Sequence, residues 1–60
     1  MRWYVYKFQV KNDVIDLEQT RICYGKCILE AILDVQTKLM LEFGTSFINI
    51  VYVKELSHEN

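Results

Sequence analysis

Two cysteines and one histidine are the side chains of this chain best suited to metal ligation or nucleophilic chemistry. Cys23 and Cys27 stand at an i,i+4 spacing. On a helix they would lie about one turn apart near the polar side, and two thiolates so placed can supply half of a tetrahedral metal site. The remaining ligands would have to come from His58, a carboxylate or a second chain. A disulfide fits that helical spacing poorly, because the bond demands a short Cβ separation and a restricted torsion. If Cys23 ends a strand instead, the spacing argument lapses. The expected state is two ordinary reduced cysteines, with no metal and no cofactor. Histidine works as an acid or base when a rigid element holds it beside a partner. His58 lies in the polar run SHEN, expected to be a frayed tail. No catalytic residue is assigned, and neither enzymatic activity nor a small-molecule substrate is expected.

The run RWYVYKF from Arg2 to Phe8 raises a different chemistry, since rings on a sheet can stack on single-stranded bases. Platforms of that kind usually set glycine-type residues between the rings and surround them with positive charge. Neither is present. Seven Lys and Arg stand against eight Asp and Glu, for a net charge of −1. The cations are scattered from Arg2 to Lys54, whereas phosphate binding draws on a basic excess or patch. The rings are expected to serve core and interface packing, with Tyr4, Tyr6 and Tyr52 each burying a ring and needing a partner for its hydroxyl.

The element expected to organise the chain runs from Lys26 to Phe43, between the only two glycines, Gly25 and Gly44. On a helical wheel Ile28, Ile32, Ala31, Val35, Leu39 and Phe43 fall together. Leu29, Leu33 and Met40 lie on the adjoining flank, and Lys26, Glu30, Asp34, Thr37 and Lys38 lie opposite. That is a helical period, in residues that favour helix. Asp34 and Lys38 form a favourable i,i+4 pair. Gly44 suits a left-handed C-cap, and Gly25 could serve as the N-cap. The apolar arc spans roughly 180–200°, where covering one sheet needs only about 100° or a little more. Either the core under the helix is thick, or the Leu29, Leu33 and Met40 flank meets a second surface.

Arg2–Val10 reads as a strand rich in the aromatic and β-branched residues that sheets favour. Its length of about 30 Å matches about 27 Å for the helix. Lys11-Asn12-Asp13 is a turn signal. Val14 to about Ile22 pairs back as a hairpin, with Ile15 and Leu17 on one face and Asp16 and Glu18 on the other. Its alternative is a helix capped by Asp13 and broken near Gly25, giving βααβ. FINIVYVKEL carries the last strand, with Ile48, Ile50 and Tyr52 on one face and Phe47, Asn49, Val51 and Val53 on the other. The reading preferred is a ββαβ α+β fold over residues 1–60. Its three-stranded antiparallel sheet has the order 2-1-3 and packs on one long helix.

A chain of 60 residues is marginal alone, burying only about 60% of its unfolded surface. Hydrophobic residues make up 52% of it and proline is absent, which argues against disorder and for association with a partner. If the purer strand faces turn to the helix, the other face holds Trp3, Val5, Phe47, Val51 and Val53 within a polar rim, the pattern of a binding surface. The uncharged, proline-free window FINIVYV would be an aggregation hazard if left open. No targeting segment or membrane span is evident, so a cytoplasmic location is expected. The function expected is a non-enzymatic protein–protein interaction module, a regulator or inhibitor that docks on a larger protein and self-associates as a dimer. On size alone, virus- and phage-encoded inhibitors belong to the same class. The alternative is a nucleic-acid-binding regulator acting as a dimer.

Overall fold

The computed structural model describes residues 1–56; the SHEN tail with His58 lies outside the described residues. The elements are β1 (Arg2–Lys11), β2 (Asp16–Gly25), α1 (Ile28–Phe43) and β3 (Ile48–Glu55). Both outer strands run antiparallel to β1, in the order β2-β1-β3. The expected ββαβ fold is therefore present, and the helical alternative for the second segment is absent. At the hairpin, Asn12 Oδ1 accepts from the N–H groups of Val14 and Ile15 at 2.8 and 2.7 Å, and Asn12 N–H donates to Ile15 O at 2.8 Å. Side-chain bonding of this kind is what lets Asn hold a turn.

Period-two alternation puts Tyr4, Tyr6, Phe8 and Val10 on one face of the central strand, where all four are buried against Ala31, Val35 and Leu39 of α1. Ile15, Leu17, Cys23, Phe43, Ile48, Ile50 and Val53 close the margins of the core. The helix ends as its sequence implies, on Gly44 at φ 64° and ψ 31°. The Asp34–Lys38 pair closes at 2.9 Å.

The entry to the helix differs from the expectation. Gly25 is a buried residue closing β2, not the cap, and Cys27 occupies the N-cap without a side-chain cap bond. Space is what Gly25 provides. A Cβ there would stand 3.1 Å from the Cβ and 3.3 Å from the Cα of Ala31, so helix and strand touch backbone to backbone. β2 runs past Ile22 to Gly25, and the helix begins at Ile28.

The second difference lies in β3. Its pairing with β1 slips between Lys7 and Phe8, so that Tyr52 faces Lys7 while Ile50 faces Phe8 and Val51 is the extra residue. A bulge inserts one residue and reverses the in–out phase beyond it. Val53 consequently pairs with Tyr6 and packs on the core, and Tyr52 is left 45% exposed on the outer face. Both placements reverse those drawn from simple alternation.

Candidate interaction surfaces

Residues expected to form one outer patch are separated by the fold. Trp3 and Val5 stand at one end of the sheet's outer face, and Val51 sits at the bulge in the middle of β3. Phe47 precedes β3 at the opposite end, in a shallow depression with Gln9, Lys11, Ile48 and Asn49, and is 69% exposed. Val53 points inward. Two residues of β2 complete the patch around Trp3. Tyr24 lies across from Trp3 and Ile22 across from Val5. The Trp3 and Tyr24 rings meet at 4.4 Å between centroids and remain about half exposed. Alternation from Asp16 and Glu18, carried on through β2, places Ile22 and Tyr24 on this face, so their signal was in the sequence. One cation of the outer face, Lys7, is held by a carboxylate, and another, Lys54, stands opposite Val5 at the edge of the patch. Lys7 Nζ lies 3.0 Å from Glu18, whereas Arg2, in phase with Tyr4 on the other face, has Nη1 3.3 Å from Glu55.

A second apolar surface runs along α1. Ile32 faces Ile50 and Val53, on the β3 side of the helix. Leu29 and Leu33, just beyond Ile32 on the wheel, are 69% and 64% exposed, and Met40 lies in the same row. The opposite flank of the helix is polar and leans over β2.

There Arg21 performs a structural task. It lies on the inner face of β2 and donates through both Nη atoms to the Glu42 carboxylate, at 2.8 Å each. Its guanidinium carbon stands 5.0 Å from the Phe8 ring centroid and 5.8 Å from that of Phe43. A planar cation thus roofs the open margin of the aromatic core. The Arg21 guanidinium holds the Glu42 carboxyl below its usual range. A carboxylate lowered on folding adds stability above the unfolded pKa and loses it as pH falls through the folded one. The melting temperature of the native chain should therefore exceed that of Glu42→Gln at neutral pH and converge on it in acid. Thermal melts across that range check this, and a constant difference down to full protonation would dismiss the pair as its source.

The site offers little else for chemistry. Cys23 is at the inner margin of β2, and Cys27 is exposed at the helix start, so a strand end separates them and the helical spacing does not apply. Burial, with the Asp34 charge adding to it, pushes the Cys23 thiol up, away from the reactive thiolate. Among the described residues no group of three or more His, Cys, Asp or Glu is placed to hold a metal ion. The cleft bounded by Tyr6, Cys23, Ala31, Ile32, Val35, Ile50 and Val53 is too narrow to admit water. A groove of about 250 Å³ beside β2 is walled by Arg21, Glu42, Asp34 and Lys38, whose charges pair with one another. Among the described residues, no helix is long and apolar enough to cross a membrane. No protein-family model matches the chain, nor does any curated protein or solved structure.

Proposed function

We propose that this chain is a non-enzymatic protein–protein interaction module, acting in the cytoplasm as a regulator or inhibitor by docking on a larger protein, and able to self-associate. The observation that carries this reading is the half-exposed Trp3–Tyr24 pair, flanked by Val5 and Ile22 on the outer sheet face. A sheet with one face on its helix and the other in water normally carries polar residues outside. Here apolar and aromatic side chains hold one end of that face, with Lys7, Thr20, Glu18 and Gln9 beyond them. Tryptophan and tyrosine dominate binding energy at such surfaces because they bury a large area with few rotors. The thin positive charge argues against the nucleic-acid reading: Lys7 is paired with Glu18, and Lys54, opposite Val5, is a single lysine beside the rings rather than a basic patch.

Affinity capture with the native chain and with Trp3→Ala tests the proposal. A partner held by the native chain should be lost or bound at least about thirtyfold more weakly after truncation of the hot-spot tryptophan. The far-UV spectrum should stay unchanged, because Trp3 lies outside the core. The indole emission of the native chain should shift to the blue on binding. Equal capture by both proteins would remove the outer face from the mechanism. Binding of a single-stranded oligonucleotide that weakens steeply with salt would favour the alternative.

A further inference from the structure

Resting on the reading of this chain as an interaction module, we infer that its partner in self-association is a second copy paired edge to edge through β3. The two copies would form one continuous sheet in the order β2-β1-β3-β3-β1-β2.

β2 and β3 are both edge strands, but they are guarded differently. The edge of β2 carries charged and polar residues from Asp16 to Arg21, with Arg21 tied to Glu42. Along β3 the six residues from Ile48 to Val53 carry no charge, and Lys54 and Glu55 close the strand. Exposed edges are normally blunted by charge, proline or cover, and an unblunted one is a template for another strand.

The bulge makes β3 self-complementary. Ile48, Ile50, Val53 and Glu55 stand opposite the buried Val10, Phe8, Tyr6 and Tyr4, and so share the inner face. Asn49, Tyr52 and Lys54 stand opposite the outer residues Gln9, Lys7 and Val5. Val51, exposed at the bulge, turns outward beside Tyr52. From Ile48 the faces therefore read in, out, in, out, out, in, out, in, which is the same from either end. A two-fold axis between Val51 and Tyr52 places Ile50 opposite Val53, Asn49 opposite Lys54, Ile48 opposite Glu55 and Val51 opposite Tyr52. Every pair lies on one face of the joined sheet, and no like charges meet. A slip of one residue would set inner side chains against outer ones, so the pattern selects this register.

The backbone is in phase with the same arrangement. Leu56 N–H donates to Trp3 O at 2.9 Å, so Trp3 directs its backbone groups at β3. By alternation Val5, Lys7 and Gln9 do the same. The residues paired with Tyr4, Tyr6, Phe8 and Val10 then point their N–H and C=O groups away from β1, to the free edge. These are Glu55, Val53, Ile50 and Ile48, the residues the two-fold axis pairs with one another. The joined sheet also sets both helices on one side, about 14 Å apart at three strand spacings, against a diameter of about 10–12 Å for a helix with its side chains. The exposed Leu29, Leu33 and Met40 rows face each other across that gap.

Sedimentation equilibrium at micromolar to submillimolar concentration should show a monomer–dimer equilibrium for the native chain. Asn49→Lys sets lysine against Lys54 twice per dimer and should raise the dissociation constant about two- to thirtyfold. Transposing the pair, with Asn49→Lys and Lys54→Asn together, should restore it. Both side chains are exposed, so the fold should survive, which far-UV spectra check. Independently, the Ile50 and Val53 amides of the native chain should exchange slowly above the dissociation constant and rapidly below it. A monomer at every concentration overturns the inference. So does a dimer indifferent to Asn49→Lys, or one whose Ile50 and Val53 amides exchange freely. A dimer lost in Trp3→Ala but untouched by Asn49→Lys would move self-association to the outer face, leaving the interaction reading intact and the edge pairing refuted.

Discussion

Leu39→Asp is expected to abolish folding. Leu39 is 2% exposed, at the centre of the helix face that meets Phe8 and Val10. An unpaired carboxylate there costs several kcal/mol, and the lost leucine packing alone about 2–5 kcal/mol. The stability of a domain this small is only about 3–9 kcal/mol, so the sum reaches or exceeds it. Ile32→Asp should cost less than Leu39→Asp, because Ile32 sits at the margin of the core with an outlet to solvent. Glu30→Ala and Thr37→Ala, on the exposed side, should stay within about 0.5 kcal/mol. Denaturant titration monitored by far-UV circular dichroism gives the ranking. Similar losses at Leu39 and Glu30 would show that another face of the helix meets the sheet.

Gly25→Val should be the most damaging change outside the apolar core, lowering the melting temperature by about 4–24 °C. Valine would bring its Cβ to 3.1 Å from the Ala31 Cβ and 3.3 Å from the Ala31 Cα, with two methyl groups beyond. Neither Ala31 atom can rotate away, so the helix itself must move. Overpacking of this kind costs about 1–3 kcal/mol, and each kcal/mol is about 4–8 °C in a domain of this size. Gly25→Ala should cost less, requiring a shift of only a few tenths of an ångström. Calorimetry on the two variants separates space from backbone freedom, since Gly25 has no positive φ to preserve. Equal tolerance of alanine and valine would mean that the helix is free to lift at this end.

The amphipathic period of α1, the alternation of β1, the Asn12 turn and the left-handed cap at Gly44 are local properties. Each depends on residues within one turn or one strand, so the amino-acid order by itself determined them. They in turn led to the ββαβ fold and the strand order, because one helix covering two hairpin strands and a third leaves few ways to bury Tyr4, Tyr6, Phe8 and Val10 together. Three features were decided only by the tertiary structure. Gly25 resembles a helix cap until Ala31 is brought within van der Waals contact of it. Arg21 is one scattered cation among seven until Glu42, more than a strand's length further along the chain, comes within 2.8 Å of it. The bulge at Val51 has no residue-type signal in INIVYV, since valine and tyrosine suit either face of a strand. Its position follows from the register that β3 must keep with Phe8 on one side and Tyr6 on the other. That register, settled by contacts distant in sequence, turns Val53 into the core and Tyr52 out of it, and so determines which residues remain on the surface for a partner.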